Sequence, residues 1–513
     1  MSHNSGCATC MKRRVKCDGA HPNCGQCQQT NRICFPVPQR NPKFTFVAEK
    51  LVRKSRVPTP RKETKSAQNY AAARELIPSS LTIPLEDQAI AYYFDHYVMP
   101  PTEVIEAARG CDSYLSLMWR QSRRESAICQ AILATSYNSF AKARRNHAAS
   151  RTSRLMYAQA ISIIQKSLLD PVGSCSDETL LAIMVLGIYE LTNWHPYEKE
   201  KEDSNRQHQV SQHKTQCICH MDGATVVLKK RRQHGPLNEC SLGLDKLVRR
   251  QILKVKLHRG TGIPVWLKDG ASFGETGFSL VLDRWTVRIS QIQQETQRLT
   301  PTMNLSILNA EYFATSELKD LLEQAMILDD EMCLWATRLT PEWSYQTYTT
   351  GCESFPASSY NGVMHAYSSL GHAVIWNRYR TMRITLNATV ITLLRQLKTD
   401  DEHEIQSSVE FAINSIRDLV SDICASIPYF TGEGRNFSHK GGGSSSIVVE
   451  VQNERRERVK ASEMAYLAAP LCTIFDHFAV SGTSYLQQQW IRSRLSDVSH
   501  ATSYAILKEI SRF

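Results

Sequence analysis

The chain has no long hydrophobic run. Its most apolar stretch, Leu180 to Tyr189, is ten residues long, about half of what a helix needs to cross a bilayer. No apolar leader opens the sequence, so we expect no membrane partner and no secretion. A P-loop, a dinucleotide-binding fingerprint, a GxSxG elbow and an HExxH motif are also missing. Without such a motif, we expect the protein not to be an enzyme.

Two structural signals are scarce as well. Strand-like alternation of apolar and polar residues is rare, which predicts a mainly α protein. Residues 35–80 contain no run of three heptads with apolar a and d positions, so a short coiled coil is not expected there. The sequence leaves monomer and homodimer open, and a homodimer would have to form through the large C-terminal part.

What the sequence does contain is cysteine, concentrated at its start. Six cysteines fall within the first 34 residues, and the spacing C-x2-C-x6-C occurs twice with an offset of 17 residues. Zinc held by thiolates takes four ligands, so six thiolates can serve two zinc ions if one cysteine of each half bridges them. The repeat therefore predicts a cluster of two Zn2+ ions bound by Cys7, Cys10, Cys17, Cys24, Cys27 and Cys34.

Other uses of these cysteines fit less well. A disulfide framework requires an oxidising compartment, and no leader directs the chain to one. A single zinc ion with two spare thiols, or a zinc module that binds only proteins, remains an alternative, although neither explains the exact repeat of the spacing.

Positive charge is confined to the same end of the chain. The formal net charge is +11, and residues 1–67 hold 14 Lys/Arg against 3 Asp/Glu. The other 446 residues are therefore neutral. Basic charge beside a metal cluster predicts a polyanionic partner, and double-stranded DNA is the best fit.

The two halves of the repeat differ in charge. Between Cys27 and Cys34 the only base is Arg32, whereas the first half is strongly basic. Arginine can bind the guanine edge with two hydrogen bonds, and lysine binds phosphate as a point charge. If each half forms a short helix, the DNA-binding residues would be Lys12, Arg13, Arg14 and Lys16.

The segment from Cys7 to Cys34 resembles the fungal Zn2Cys6, or zinc binuclear cluster, transcription factors. The stretch from Cys10 to Asp18 matches the basic first loop of that family, and Pro22 stands where the family has its turn proline. The resemblance implies that Cys7 and Cys24 are the bridging ligands. It also implies that Arg14 is the main base-reading residue, although Lys is more usual there, and that CGG-like triplets are read in the major groove.

A basic, proline-containing segment follows the cysteines. It reads as a largely disordered linker whose charges seek phosphate. The phosphate contacts predicted in it are Arg53, Lys54, Arg56, Arg61 and Lys62.

The rest of the chain reads as a helical body. Apolar residues recur at helical spacing from Ile405 to Ile427, and a second stripe runs along Leu155, Ala158, Ile161, Ile164 and Leu168. Ser176 is predicted to cap the helix that contains the apolar stretch. We expect a Zn2Cys6 DNA-binding domain at 1–40, a linker at 41–80, and an all-α domain at 81–513 with loops at 194–216 and 431–455.

This body is similar to the fungal-specific transcription factor regulatory domain. The similar segments are Glu86 to Phe94, Leu180 to Leu191, His220 to Ala224 and Ile375 to Arg380. The resemblance implies a nuclear RNA polymerase II transcription factor that contacts co-regulators or the transcription machinery. It further implies control of metabolic genes, with a secondary-metabolite cluster as one option.

A second metal site would need the cluster Cys217, Cys219 and His220. Reduced cysteines beside a polar loop are the more ordinary interpretation, so we predict no metal there.

Overall fold

The computed structural model describes residues 8–13, 15–18, 20, 24–30, 34, 83–99, 105–193, 219–234, 238–300, 310–349, 358–397, 402–435 and 459–511. The chain divides into two units, Met1–Leu81 and Thr82–Phe513. The linker at 41–80 and the loop at 194–216 lie outside the described residues, as does the loop at 431–455 after residue 435.

The first unit contains two short helices, each of which begins directly after the first cysteine of a C-x2-C pair. Helix α1 spans Ala8–Arg13 and α2 spans Gly25–Gln29. Buried Cys10, Cys24 and Cys27 form the apolar centre, with Cys17 and Cys34 packed against it. So small a core is too little to fold a chain by itself, which makes the sulfurs the organising element of this unit.

The second unit, which we call the body, is helical and confirms the mainly α prediction. Its first helices are α3 (Leu85–Tyr97), α4 (Leu115–Gln121), α5 (Ala127–Arg144), α6 (His147–Leu169), α7 (Asp177–Asn193), α8 (Cys219–Gln233) and α9 (Glu239–Arg259). The remaining helices are α10 (Gly277–Leu299), α11 (Ala310–Thr337), α12 (Leu370–Gln396), α13 (Glu402–Phe430), α14 (Ala461–Ala465), α15 (Ala468–Asp476), α16 (Tyr485–Thr502) and α17 (Ala505–Ile510).

One element of the body was not predicted. Strands β1 (Gln346–Thr349) and β2 (Val363–Ala366) pair antiparallel, with Gln346 opposite Ala366. The strands are four residues each, too short to show alternation in sequence, and β2 is held by packing on α13.

Two large apolar clusters fill the body. One lies around α5, α7, α8 and α9, and the other around α10, α11, α12 and α13. Helices α5 and α12 are buried over most of their lengths, because other helices pack around them. Among the helices of the described ranges, none is long and apolar enough to cross a bilayer.

The predicted cap and one predicted stripe are confirmed. Ser176 Oγ accepts a hydrogen bond from the Thr179 amide at 3.1 Å, where α7 begins. Along α13, Val409, Ile416 and Ile423 are buried in the core.

The stripe predicted on α6 is confirmed only in part, since Ile164 is buried and Ile161 packs against the core while the other three residues are exposed. Leu155 and Leu168 are exposed, and the buried side chains are Ala149, Ser153, Ala160 and Ile164. Small residues bring α6 close to α5, and Ser153 Oγ donates a hydrogen bond to the Ala134 carbonyl at 2.9 Å. Close helix approach therefore outweighed leucine burial at this surface.

Candidate metal centre and nucleic-acid interface

The N-terminal sulfurs lie at the distances expected of ligands to shared metal ions. Four sulfurs at about 2.3 Å from a zinc ion lie about 3.8 Å apart. The Sγ of Cys10 lies 3.6 Å from that of Cys24 and 3.9 Å from that of Cys27. Bringing thiols this close without bonding them fits a site built for a thiophilic cation.

The sulfurs form two groups that share one cysteine. Cys10, Cys17 and Cys24 make one group, and Cys24, Cys27 and Cys34 make the other, with ligand atoms in each within 4.8 Å of one another. These are the described members of the two ligand sets that the family resemblance implies, with Cys24 in both. Cys7, the other expected bridging ligand, lies outside the described residues.

Charge compensation is the remaining requirement of this centre. Burial raises the pKa of the Cys24 thiol, and contacts with the Cys27, Cys10 and Cys17 sulfurs raise the pKa further. Thiols in such a position become ligands only when a cation offsets the thiolate charge. The amide of Cys24 also donates to Cys34 Sγ at 3.4 Å, a contact that favours the thiolate.

Two contacts of Asp18 were missed by sequence reasoning, and one of them ties the second half of the repeat to the first. Asp18 accepts the Gly25 amide at 2.9 Å through Oδ2 and the Ala20 amide at 3.4 Å through Oδ1. A Cβ on Gly25 would lie 2.7 Å from Asp18 Oδ2, so any other residue at this position would force the Asp18 carboxylate to shift. The signal was present in sequence, since Asp18 and Gly25 directly follow Cys17 and Cys24.

The predicted DNA-binding residues are only partly described. Lys16 is exposed, and Lys12 lies on α1. Arg13 is exposed and donates a hydrogen bond through Nη1 to Thr30 Oγ1 at 3.1 Å, which links the two halves of the unit. Arg14 and the linker residues Arg53, Lys54, Arg56, Arg61 and Lys62 lie outside the described residues.

In the region considered for a second metal site, His220 forms contacts that join helices. His220 Nε2 lies 2.8 Å from Glu190 Oε1, and Tyr157 donates to the same oxygen at 2.7 Å. These contacts join α6, α7 and α8, and they lower the pKa of Glu190 against the effect of burial. Cys219 is exposed and Cys217 lies outside the described residues.

Comparison with known proteins finds a matching domain family for the cysteine-rich start of the chain. Residues 5–43 match the fungal Zn(2)-Cys(6) binuclear cluster domain, a zinc-binding domain. A curated protein of Emericella nidulans, "Transcription factor dbaG", is 20% identical over 356 residues, which cover 68% of this chain and 75% of that protein. No solved structure matches the chain. The likeness of the body to a regulatory domain stays a prediction.

Proposed function

We propose that this protein is a sequence-specific DNA-binding transcription factor of the fungal zinc-cluster type. The observation that carries the proposal is the pair of sulfur groups sharing Cys24, within the segment that matches the zinc-cluster domain. The concentration of positive charge in residues 1–67 supports DNA as the partner. The name of the Emericella nidulans relative supports the role in transcription.

The cluster would hold two Zn2+ ions per chain, with Cys7 and Cys24 bridging them. Zinc here has a structural role: it fixes α1 and the basic loop after it, so that Arg14 and Lys16 are presented to the major groove. Lys12, together with linker bases such as Lys54 and Lys62, would contact phosphate. The same proposal includes nuclear localisation and control of metabolic genes, including a secondary-metabolite cluster. It includes no catalytic activity.

Selection from a random DNA library tests the proposal directly. The zinc-loaded full-length protein should enrich a CGG-like triplet, and metal analysis should give about two zinc ions per chain. Two triplets at a fixed spacing would indicate a homodimer.

The control variants separate the cluster from the body. Cys24→Ser removes the sulfur common to both groups and should abolish enrichment and lower the zinc content. Cys219→Ser, which alters an exposed cysteine of the body, should behave as the unaltered protein. Two bound zinc ions without any enriched sequence would refute DNA reading and favour a zinc module that binds proteins.

A further inference from the structure

The outer side of α6 concentrates positive charge in a body that is otherwise neutral. From Ser126 to Leu169 the chain has six Lys/Arg and no Asp/Glu. Helical spacing brings the exposed cations of α6 to one side of the helix, next to the corner where α5 ends. We call this surface the basic face, and it consists of Arg144, Arg145, Arg151, Arg154, Leu155 and Lys166.

The cations of the basic face have no carboxylate of their own. Within the ranges that the structure describes, none of the five forms an ion pair or a side-chain hydrogen bond. Two carboxylates lie next to α6, and both are engaged. Glu190 accepts a hydrogen bond from Tyr157 at 2.7 Å, and Asp170 accepts the Gly173 amide at 2.6 Å. An exposed row of like charges without counter-charges attracts an anionic surface.

Helix α11 carries the opposite charge along one exposed side. The other described acids of this helix are all paired with arginines, and they are Glu317, Asp329 and Glu331. The acids at 320, 323 and 330 form no ion pair in the described part of the chain, and the only base beside them is Lys319. We call this surface the acidic face, and it consists of Asp320, Glu323, Met326, Ile327, Asp330 and Leu334.

The two faces also agree in length and in apolar content. Arg151 to Lys166 covers about 22 Å of helix, and Asp320 to Leu334 covers about 21 Å. The large apolar side chains of both faces, at positions 155, 326, 327 and 334, are 48–56% exposed. Arginine and methionine are enriched at protein interfaces and lysine is depleted, whereas surfaces that bind DNA are more polar. Four of the five cations are arginines, so the composition favours a protein partner.

We propose that the basic face of α6 binds the acidic face of α11 in a second copy of this chain. Arginine binds a carboxylate through two parallel hydrogen bonds, and the apolar side chains of each face gain cover from the other. Both faces are exposed in a single chain, so they pair between copies. Two copies related by a two-fold axis form the contact twice, because α6 of each copy then meets α11 of the other. The inference concerns the body alone and does not rest on the proposed function.

Analytical ultracentrifugation of the zinc-loaded full-length protein, without DNA, tests the association. At chain concentrations up to about 100 µM, a species of twice the 58.1 kDa of one chain should form. High salt should weaken it, because salt screens charges between exposed groups. The mass of a single chain at every concentration would overturn the inference and would leave DNA reading by the cluster untouched.

Reversing the charges of each face in turn locates the contact. Arg151→Glu with Arg154→Glu opposes acid to acid, and Glu323→Lys with Asp330→Lys opposes base to base. Each double variant alone should raise the dissociation constant at least about tenfold, because like charges across an interface are costly. An equal mixture of the two should associate again. In the mixed pair, the new glutamates face the new lysines, and the second contact keeps its original charges.

A matched variant outside both faces serves as the control. Arg395→Glu with Lys508→Glu reverses two exposed cations on α12 and α17 and should associate as the unaltered protein does. Circular dichroism checks that all variants keep their helices. Dimers that persist in either face variant, or a mixture of the two that does not associate, would refute the pairing of α6 with α11.

Discussion

Two basic side chains that adjoin in sequence should have different tasks. Arg13 donates to Thr30 and links the two halves of the cluster unit. Arg14 is the predicted reader of a base. We expect Arg14→Ala to weaken binding to the selected DNA site by about 1–3 kcal/mol and to relax its sequence preference. Binding measured by fluorescence anisotropy across a set of single-base variants checks this.

A phosphate-contacting lysine serves as the comparison for Arg14. Lys62→Ala should weaken binding to all DNA sequences alike and make the dependence on salt less steep. An Arg14→Ala protein with an unchanged sequence preference would contradict the role assigned to Arg14.

A methyl group at Gly25 should loosen the cluster. In Gly25→Ala, Asp18 must move away from a Cβ placed 2.7 Å from Oδ2, and the amide at the start of α2 loses its acceptor. The loss of such a cap costs about 1 kcal/mol. Competition with a zinc chelator should therefore show weaker zinc retention.

Another glycine of the chain supplies the matched control. At Gly223, within α8, an added Cβ would have its nearest neighbour 4.0 Å away, which is an ordinary contact. Gly223→Ala should stabilise the body by about 1 kcal/mol through helix propensity and leave zinc retention as it is. Equal zinc retention by the two variants would refute the role of Gly25.

The low pKa of Lys254 makes the stability of the body depend on pH. The folded pKa of about 7 lies below the ordinary value for lysine, so the unfolded chain binds more protons above pH 7. Lys254 therefore contributes a gain in stability as pH rises from about 7 to 9. Lys319→Met, which alters an exposed lysine of α11, is the control. Urea unfolding at several pH values should show a smaller gain in the free energy of unfolding for Lys254→Met than for Lys319→Met. Equal gains would show that Lys254 is not the source of this pH dependence.

At the scale of elements, a buried ion pair joins α9 to α10. Arg249 and Asp283 are both almost fully buried, and Arg249 also donates to the Leu267 carbonyl at 2.9 Å. Arg249→Met leaves the Asp283 charge alone in the interior, so we expect a loss of about 3–5 kcal/mol in the free energy of unfolding.

The double variant isolates the charge from the packing. Arg249→Met combined with Asp283→Leu removes both charges and should recover much of the loss, as measured by urea unfolding. If the double variant were less stable than Arg249→Met alone, the contribution of Arg249 and Asp283 to the free energy of unfolding would come from packing and not from their charges.

Helices could be predicted where local pattern and burial agree. The stripe on α13 and the cap at Ser176 follow from spacing and chemistry that the sequence displays. The buried face of α6 could not be predicted, because it depends on how closely α5 approaches, which is a tertiary effect. Arg380, at the end of the segment Ile375 to Arg380, is a second example. Its guanidinium lies 4.8 Å from the ring centre of Tyr345, and its Nη1 donates a hydrogen bond to the Tyr367 hydroxyl at 2.7 Å. Its partners are distant in sequence, so the motif alone could not reveal this buried role.

The candidate metal centre was more predictable than the buried ion pairs of the body. Its ligands lie within 28 residues of sequence, from Cys7 to Cys34, and metal geometry dictates their spacing. Arg249 lies on α9, whereas its partner Asp283 lies on α10, 34 residues further along the chain. Only the fold brings Arg249 and Asp283 together, and nothing in their local sequence distinguishes them from surface charges.

At the scale of the molecule, zinc removal should affect the two units unequally. The cluster unit has a core of five described cysteines, whereas the body has extensive apolar clusters of its own. Chelation should therefore abolish DNA binding, because a unit that small depends on its metal for folding. Far-ultraviolet circular dichroism should change little, because α3 to α17 all lie in the body. Re-addition of zinc should restore binding. DNA binding that survives complete removal of zinc would mean that the sulfurs are not what positions the basic loop.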